Sequence, residues 1–329
     1  MTKCNEPSRI YFDLIDRITA IIDIENRPIT NRELLELCSL SGLESLSADP
    51  HLCHEVAETA LNHLIKTKYG KQLLSATDPP ISCSGMLKPL LKRLPTQSWR
   101  SDSQITYQQF STPASIAYLA AYLLNLSDSD SVLEPSCGTG SLAVWALAVG
   151  ATVVTNEIDS RRQMLSALVG FDPTRYDAEF IDDFLSENII PNIILANPPF
   201  SCSGGRVDQN RSKFGLRHVE SALRRLTSGG RFALIVGEAG SPRNVSGRRF
   251  WESLLPNIRV TASIELPGSE YYRNGTTVRV TLLLGHKTCN EKPASAVALD
   301  DRIDIFASSV EDAFDQAIAK GLRFDPTTE

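Results

Sequence analysis

A four-residue segment in the second half of the chain has the groups needed to hold an amine attached to an aromatic ring. It reads Asn197-Pro198-Pro199-Phe200. Such an amine is a poor nucleophile because its lone pair is delocalised, and two acceptors on its hydrogens would free that pair. The Asn197 side-chain oxygen and the Pro198 carbonyl oxygen would be those acceptors, on a backbone fixed by consecutive prolines. Phe200 would stack on the ring, which predicts catalysis on a base flipped out of a duplex; a stiff strand-to-loop connection is the alternative.

A glycine-rich segment upstream, residues 134–140, has the features of a ligand-binding loop and is called the glycine loop below. It reads Glu134-Pro135-Ser136-Cys137-Gly138-Thr139-Gly140, after a predicted strand and before a predicted helix. Gly138 and Gly140 permit a tight turn and a close approach of a ligand to the backbone, and the helix N-terminus offers free N–H groups. The loop is neither GxGxxG nor a Walker sequence, which favours a ligand without a phosphate chain.

A carboxylate follows the next predicted strand. Residues 151–155 form that strand, and Glu157 comes two residues after it. In dinucleotide-binding folds an acidic residue at this place accepts hydrogen bonds from ribose hydroxyls. Glu157 is therefore a candidate ribose ligand, with a solvated loop acid as the alternative.

The elements that must position these loops alternate along the chain from about residue 104. Apolar runs at 131–133, 151–155, 192–196 and 231–236 are predicted strands, and residues 141–149 are a predicted helix. Two further runs, near 259–265 and 277–284, predict an antiparallel hairpin at a sheet edge. The alternation predicts an α/β fold with a doubly wound, mainly parallel sheet, whose functional loops lie at the carboxyl ends of the strands.

Residues 8 to about 94 show the apolar spacing of short amphipathic helices. Thr30 and Glu33 form a predicted capping box, and Gly70 is the predicted end of a helix over 55–69. Cysteine and histidine side chains here lack the CxxC spacing of a structural zinc site, so we expect packing roles and no metal. They are Cys38, His51, Cys53, His54 and Cys83.

Composition and charge narrow the class of protein. No apolar run reaches the roughly 18 residues of a membrane helix, the N-terminus lacks a signal-peptide pattern, and seven scattered cysteines favour reduced thiols in a cytoplasm. Residues 197–290 contain 14 basic and six acidic side chains, a net +8, which leaves −14 for the remainder of a chain of net charge −6. This asymmetry could give the protein a positive face for phosphates, and a chance cluster of solvated charges is the alternative.

Taken together and in this order, the motifs resemble a known family. The tetrapeptide 197–200, the glycine loop and Glu157 resemble class I S-adenosylmethionine-dependent amino-methyltransferases. Gln109-Phe110-Ser111-Thr112-Pro113, ahead of the glycine loop, is similar to the cofactor-methionine motif of N6-adenine DNA methyltransferases of the gamma order. Over roughly residues 94–287 the chain looks most like the methyltransferase domain of strawberry-notch-like bacterial and phage proteins. It resembles the modification subunits of type I restriction systems next.

The resemblance implies the cofactor S-adenosyl-L-methionine and a role for each matching residue. Phe110 and Thr112 would contact its methionine end; Glu134, Ser136, Gly138 and Gly140 would surround its backbone; Glu157 would hold the ribose; Ile158 would lie against the adenine; and Asp183 would accept from the adenine N6. Asp177 and Asp182 are alternatives to Asp183. The implied reaction is direct transfer of the sulfonium methyl to the N6 of a flipped adenine in DNA.

Nucleic-acid binding and domain organisation complete the expectations. Substrate phosphates would bind to Arg206, Arg211, Lys213 and Arg217. The predicted division is a helical region over 1–100, the methyltransferase domain over 101–290 and an acidic tail over 291–329. Because about 40 residues follow Lys287, target recognition would come from the N-terminal helices, a specificity subunit or a larger fusion partner, unless specificity is low. Alternatives are methylation of ribosomal RNA on adenine N6 or guanine N2, methylation of protein glutamine, and a non-catalytic DNA-binding antirestriction module.

Overall fold

The described strands form one twisted sheet in a computed structural model that describes residues 6–97, 110–199, 214–254, 257–288, 299 and 301–325. The sheet has seven strands in the order β2-β1-β3-β4-β6-β5-β7. The strands are β1 (Ser131–Glu134), β2 (Thr152–Thr155), β3 (Ile193–Ala196), β4 (Arg231–Val236), β5 (Ile258–Leu266), β6 (Val280–Lys287) and β7 (Ile303–Phe306). The predicted strands are thereby confirmed to within two residues at each end, except that β6 lies three residues further along the chain than predicted.

Pairing directions separate the sheet into two parts. β2, β1, β3 and β4 are parallel neighbours, whereas β6 is antiparallel to both β4 and β5. β3 and β4 are buried along their whole length, as expected for parallel strands covered on both faces. The carboxyl ends of β1, β2 and β3 therefore lie at one edge of the sheet, where the predicted functional loops begin.

Helices cover both faces of the sheet and form the N-terminal region. They are α1 (Glu6–Thr19), α2 (Asn31–Leu40), α3 (Glu44–Ala48), α4 (Pro50–Leu64), α5 (Gly70–Leu74), α6 (Pro79–Ser82), α7 (Lys88–Arg93), α8 (Ala114–Leu123), α9 (Val144–Val149), α10 (Ser160–Val169), α11 (Ile181–Phe184), α12 (Phe214–Arg225), α13 (Val245–Ser253) and α14 (Val310–Ala319). π-Helical turns at Ala20–Ile24, Ile65–Tyr69 and Cys83–Leu87 follow α1, α4 and α6, and 3-10 turns occur at Ala178–Phe180, Glu238–Gly240 and Gly268–Asn274.

The N-terminal helices, α1 to α7, are called the N-terminal bundle. Half of the predicted capping box is confirmed, because the Thr30 hydroxyl accepts from the Glu33 N–H at 3.1 Å. The Glu33 carboxylate instead forms an ion pair of 2.8 Å with Arg27. The bundle is held against the sheet region by Glu55 of α4, whose carboxylate binds Arg161 at 2.8 Å and Arg162 at 2.7 Å on α10.

Gly70 does not end a helix, contrary to the sequence prediction. Its backbone is right-handed helical, with φ −60°, and α5 begins at this residue. A Cβ atom at position 70 would lie 2.5 Å from the Cβ of Ala148. Glycine is needed here because the bundle and α9 approach each other at backbone distance, and not because a helix stops.

The predicted acidic tail contributes to the sheet in its described part. β7 pairs in parallel with β5, and α14 packs beyond it, with Phe314 against Tyr118 at a ring-centroid distance of 4.9 Å. The β5–β6 hairpin was predicted at the sheet edge, but β7 occupies that edge. Charge alone suggested a separate segment, whereas the alternating burial of Ile303–Phe306 is that of an edge strand.

The cysteines considered for zinc are buried in apolar clusters. Cys38 and Cys53 are buried with the apolar side chains of the bundle, and Cys83 belongs to a different apolar cluster. His51 lies 3.3 Å from the Glu55 carboxylate. Among the residues that the structure describes, no group of three or more His, Cys, Asp or Glu could hold a metal ion. In the same residues no helix has the length and apolar character required to cross a membrane.

Candidate active site

A cavity of about 210 Å³ opens at the carboxyl ends of β1, β2 and β3. Its lining includes residues from the glycine loop, the end of β2, the tetrapeptide 197–200 and the N-terminal bundle. Among the predicted site residues, it is lined by Phe110, Thr112, Glu134, Ser136, Gly138, Glu157, Ile158, Asn197, Pro198 and Pro199. The fold therefore brings together residues separated by almost 90 positions along the chain.

The glycine loop has the tight turn that its sequence predicted. Gly138 and Gly140 have φ values of 56° and 92°, which are left-handed conformations that favour glycine. Gly140 packs closely against the core: a Cβ atom at this position would lie 2.3 Å from the Cε2 of Phe171. At Gly138, by contrast, the nearest atom to such a Cβ is the Nη1 of Arg162, at 3.7 Å. Gly138 therefore leaves open space on the cavity side, and Gly140 fits against the core.

Two buried carboxylates hold the loop in place. Glu157 accepts from the N–H of Gly138 at 2.7 Å and from that of Asp159 at 2.8 Å, and Glu134 accepts from the N–H of Ala143 at 2.8 Å. Burial raises the pKa of Glu134 well above its ordinary value and also raises the pKa of Glu157. Each carboxylate keeps lone pairs beyond those used, so Glu157 can still accept from a ligand.

The ionisable groups around the cavity are predominantly acidic. Four carboxylates line it, from Glu58, Glu134, Glu157 and Asp177, together with the guanidinium of Arg162. His218 also lines it, and burial lowers its pKa to about 4, so this imidazole is neutral near pH 7. Such a surface attracts a cationic ligand and repels a phosphate chain.

The orientation of the Asn197 side chain follows from its partners. Its Nδ2 donates to the carbonyl oxygen of Phe110 at 3.3 Å and to the hydroxyl of Thr112 at 2.9 Å. A carbonyl oxygen can only accept, so the nitrogen must point toward Phe110 and the Oδ1 must point away. This Oδ1 is buried without a hydrogen bond of ordinary geometry to any described residue, although the hydroxyl of the buried Tyr271 interacts with the Asn197 side chain. A buried acceptor without such a hydrogen bond is costly, and a ligand N–H at this place would satisfy it.

Helix α12 packs directly against the two prolines of the tetrapeptide. A Cβ atom at Gly215 would lie 2.0 Å from the carbonyl oxygen of Pro199, so the glycine allows the helix to contact the tetrapeptide backbone directly. Pro198 and Pro199 both line the cavity. Phe200, the predicted stacking residue, lies outside the described residues.

Three aspartates were candidates for the adenine end, and the structure separates them. Asp177 lines the cavity and caps the 3-10 turn Ala178–Phe180, accepting from the Glu179 N–H at 3.1 Å. Asp182 accepts from Ser221 at 2.5 Å and pairs with Arg224 at 3.4 Å. Asp183, the predicted ligand, is exposed and does not line the cavity. The turn at 178–180 directs the chain away from the site, so the first of the three acids is the one beside the ligand space.

Of the predicted phosphate-binding residues, the structure describes only the last. Arg206, Arg211 and Lys213 lie outside the described residues. Arg217, on α12, is about half-exposed and forms an ion pair with Glu179. Its phosphate-binding role remains a prediction.

Residues missed by the sequence analysis include Glu58 and His218, which line the cavity, and Asn62, which contacts the glycine loop. Glu58 and Asn62 of α4 reach the glycine loop, where the Asn62 amide donates to the Thr139 carbonyl oxygen at 3.1 Å. His218 of α12 lies 3.5 Å from the Ser136 hydroxyl. The signal for α4 was its unusual number of polar residues within a buried helix, since His51, His54, Glu55, Glu58, Thr59 and Asn62 are all buried.

Comparison with known proteins gives two curated relatives of this chain. It is 29% identical over 162 residues to a tRNA (guanine(10)-N2)-dimethyltransferase of Methanothermobacter thermautotrophicus, covering 43% of this chain and 47% of that protein. It is 26% identical over 216 residues to the type II restriction enzyme and methyltransferase RM.BcgI of Heyndrickxia coagulans, covering 58% of this chain and 33% of that protein. The chain thus spans about half or less of the length of these relatives. No family model matches it.

Among solved structures, a protein of Listeria monocytogenes described as a class I S-adenosylmethionine-dependent methyltransferase matches along nearly the whole chain. The match covers 97% of this chain and 98% of the other, with a TM-score of 0.55 and 15% identity. This chain has the class I methyltransferase fold. The predicted fold class is confirmed, including the helical N-terminal region. The predicted resemblance to methyltransferases of restriction systems is also confirmed, by the second curated relative.

Proposed function

We propose that this protein transfers a methyl group from S-adenosylmethionine to the N6 amine of adenine in DNA. One observation carries the proposal: the Asn197 Oδ1 is a buried acceptor without a hydrogen bond of ordinary geometry, in the cavity that the glycine loop also lines. Its orientation is fixed by Phe110 and Thr112 before any substrate arrives. A fixed acceptor costs no reorganisation when charge develops on the amine, which is how a preorganised site lowers a barrier.

The residues of the cavity fit S-adenosylmethionine, which supplies an activated methyl group on a positively charged sulfur. Four carboxylates and a neutral histidine suit a cation and disfavour a nucleotide with phosphates. Glu157 would accept from the ribose hydroxyls, and Gly138 would let the cofactor lie against the backbone. Asp177 would accept from the adenine N6 in place of Asp183, with Ile158 against the ring.

The protein groups act on the substrate amine. Asn197 Oδ1 and the Pro198 carbonyl oxygen would accept its two N–H hydrogens and draw the lone pair out of conjugation. The amine nitrogen would take the methyl carbon from the donor, whose sulfur would keep the electron pair of the broken carbon–sulfur bond, and the nitrogen would lose a proton to water. The amine becomes acidic as it is alkylated, so the step needs positioning and acceptors more than a general base.

DNA is proposed over RNA because the relative that covers the larger share of this chain is a restriction enzyme and methyltransferase. Arg206, Arg211, Lys213 and Arg217 would contact phosphates, and a specificity subunit or larger fusion partner would supply sequence recognition. A second candidate is the N2 amine of guanine in tRNA, which the other relative favours. Asn197 and Pro198 could hold either amine. The two candidates are therefore distinguished by which nucleic acid accepts the methyl group.

The test is a transfer assay with tritium-labelled methyl cofactor on DNA, tRNA, ribosomal RNA and protein, with nucleoside analysis of the product. We expect label in N6-methyladenine of DNA, and a loss of about 100-fold or more in kcat for Asn197→Ala with cofactor binding retained. Label in guanosine N2 would select the second candidate. Unchanged transfer to DNA by Asn197→Ala would contradict the proposed mechanism. Arg211→Ala with Lys213→Ala should weaken DNA binding and flatten its salt dependence.

A further inference from the structure

A second cavity, of about 310 Å³, adjoins the candidate active site on the side of the N-terminal bundle. Glu58, Thr112 and Ser141 line both cavities and so lie at their junction. In the proposed cofactor site, Asp177 lies at the adenine end and Glu157 at the ribose, and neither residue lines the second cavity. The junction is therefore next to the part of the site that remains for the amino-acid end of the cofactor.

Glu58 is the charged group at this junction. One carboxylate oxygen, Oε1, accepts from the hydroxyls of Thr139 at 2.6 Å and Ser141 at 2.5 Å. The other, Oε2, is buried and accepts no hydrogen bond from any described residue. The residue as a whole is only 9% exposed. A carboxylate oxygen buried without a donor is unfavourable unless a ligand supplies one.

The nearby arginines form no hydrogen bond with this oxygen, although the Arg162 guanidinium interacts electrostatically with the Glu58 carboxylate. Arg161 and Arg162 bind Glu55 at 2.8 and 2.7 Å, one turn earlier on the same helix. In the described part of the chain, no donor reaches the Glu58 Oε2. The oxygen is thus open to a cationic or N–H donor from a ligand.

We propose that Glu58 binds the α-ammonium group of the cofactor's amino-acid end. This inference rests on the proposed function, since it assigns one end of the same ligand. An ammonium has three donors and would give the Oε2 a charge-assisted hydrogen bond. The N-terminal bundle would then be a part of the cofactor site, with α4 closing the cavity over the glycine loop.

A competing explanation is that Glu58 only supports the glycine loop through Thr139 and Ser141. The substitution Glu58→Gln separates the two, because glutamine keeps an oxygen for both hydroxyls and removes the charge. Asn62→Ala is the matched control: Asn62 also binds Thr139 and Ser141, at 3.1 and 3.2 Å to the carbonyl oxygen and hydroxyl respectively, but does not line either cavity.

The experiment compares two ligands by calorimetry, S-adenosylhomocysteine and 5′-methylthioadenosine, which lacks the amino-acid end. Glu58→Gln should weaken S-adenosylhomocysteine about 10- to 100-fold, the range for a hydrogen bond to a charged group, and leave methylthioadenosine unchanged. Asn62→Ala should weaken both ligands by the same factor. Methylthioadenosine binding also reports that each variant is folded.

The third ligand is a deaminated analogue of S-adenosylhomocysteine, measured with wild type and with Glu58→Gln. It should bind wild type more weakly than the parent ligand, and Glu58→Gln should cause no further loss. An equal loss of both adenosine ligands in Glu58→Gln would make Glu58 a loop support and overturn the inference alone. A wild-type protein that binds neither ligand would overturn the proposed function, and the inference with it.

Discussion

The Asn197 side-chain nitrogen lies 2.9 Å from the Thr112 hydroxyl oxygen, although the two residues are 85 positions apart. This contact joins the motif ahead of the glycine loop to the tetrapeptide behind it. Together with the Phe110 carbonyl oxygen, at 3.3 Å, it sets which end of the Asn197 amide faces the cavity. Thr112 is therefore a positioning residue for the proposed acceptor, in addition to its expected contact with the cofactor.

Replacing Thr112 by valine tests this positioning role. Valine has the same shape without the hydroxyl, so Asn197 would keep only its longer hydrogen bond. We expect kcat for methyl transfer to fall about tenfold, as for the loss of one buried hydrogen bond. Thr112→Ser keeps the hydroxyl and should retain most of kcat. Steady-state kinetics with both variants give the comparison, and a rise in KM for the cofactor with kcat unchanged would assign Thr112 to cofactor binding only.

Gly140 and Gly138 should differ in their cost of substitution. Both have positive φ, but only at Gly140 would a Cβ meet the core, at 2.3 Å from Phe171. Gly138→Ala should lower the free energy of unfolding by about 1 kcal/mol, for the left-handed backbone alone. Gly140→Ala should lower it by about 3 kcal/mol, because overpacking adds to the backbone term.

Urea denaturation of both glycine variants measures this difference. Phe171→Leu in the Gly140→Ala background should recover part of the loss, because it removes the ring that the new methyl group would touch. Equal costs at the two positions would mean that the loop moves away from Phe171 without penalty.

Cofactor affinity should depend on pH through the two buried carboxylates of the loop. Burial raises the pKa of both Glu134 and Glu157, so in the free protein they take up protons at higher pH than ordinary carboxyl groups. A cationic ligand favours the ionised forms. Affinity should therefore fall as the pH is lowered through the raised pKa values, and binding should release protons.

Calorimetry in two buffers of different ionisation enthalpy counts the protons released. Glu157→Gln should reduce the number released and weaken the pH dependence, since one titrating group is removed. Proton uptake on binding, or none at any pH, would contradict this account of the charges.

The sequence predicted the elements whose signals are local. Each of the parallel strands is an apolar run that ends at a polar or glycine-rich loop, so strands, loops and their order follow from residue type. Asp177 and Asp183 could not be separated in this way, because three aspartates lie within seven residues and only the turn at 178–180 decides which faces the cavity.

The contribution of the N-terminal bundle was not predictable from local patterns. Glu58 reaches the glycine loop across 81 and 83 positions of sequence, and the polar residues of α4 do not show which distant segment they contact. The role of Gly70 also depends on a residue that is distant in sequence. Its local pattern predicts a helix end, but glycine is needed at this position because α9 packs against it.

The Glu55 cluster between the bundle and α10 should govern acid stability. Burial alone would raise the pKa of Glu55, but Arg162, His51 and Arg161 lower it to about 2. An acid with a lowered pKa in the folded state stabilises the fold above its unfolded pKa, about 4.5, and this contribution is lost as the pH falls toward 2. The shift corresponds to a contribution on the order of 3 kcal/mol at neutral pH.

Glu55→Gln isolates this contribution from the other carboxyl groups that titrate in the same range. The variant should unfold more easily by about 3 to 5 kcal/mol at pH 7, because the buried Arg162 guanidinium loses this carboxylate, whereas the partly buried Arg161 keeps its ion pair with Asp49. The difference from wild type should shrink as the pH is lowered from 4.5 toward 2, where the wild-type carboxylate is protonated. Glu36→Gln is the control, since Glu36 forms an exposed ion pair with Arg32 and should cost less than about 0.5 kcal/mol at any pH. Denaturation curves across this pH range give the result, and a difference that stays constant with pH would mean that packing, and not charge, holds α4 to α10.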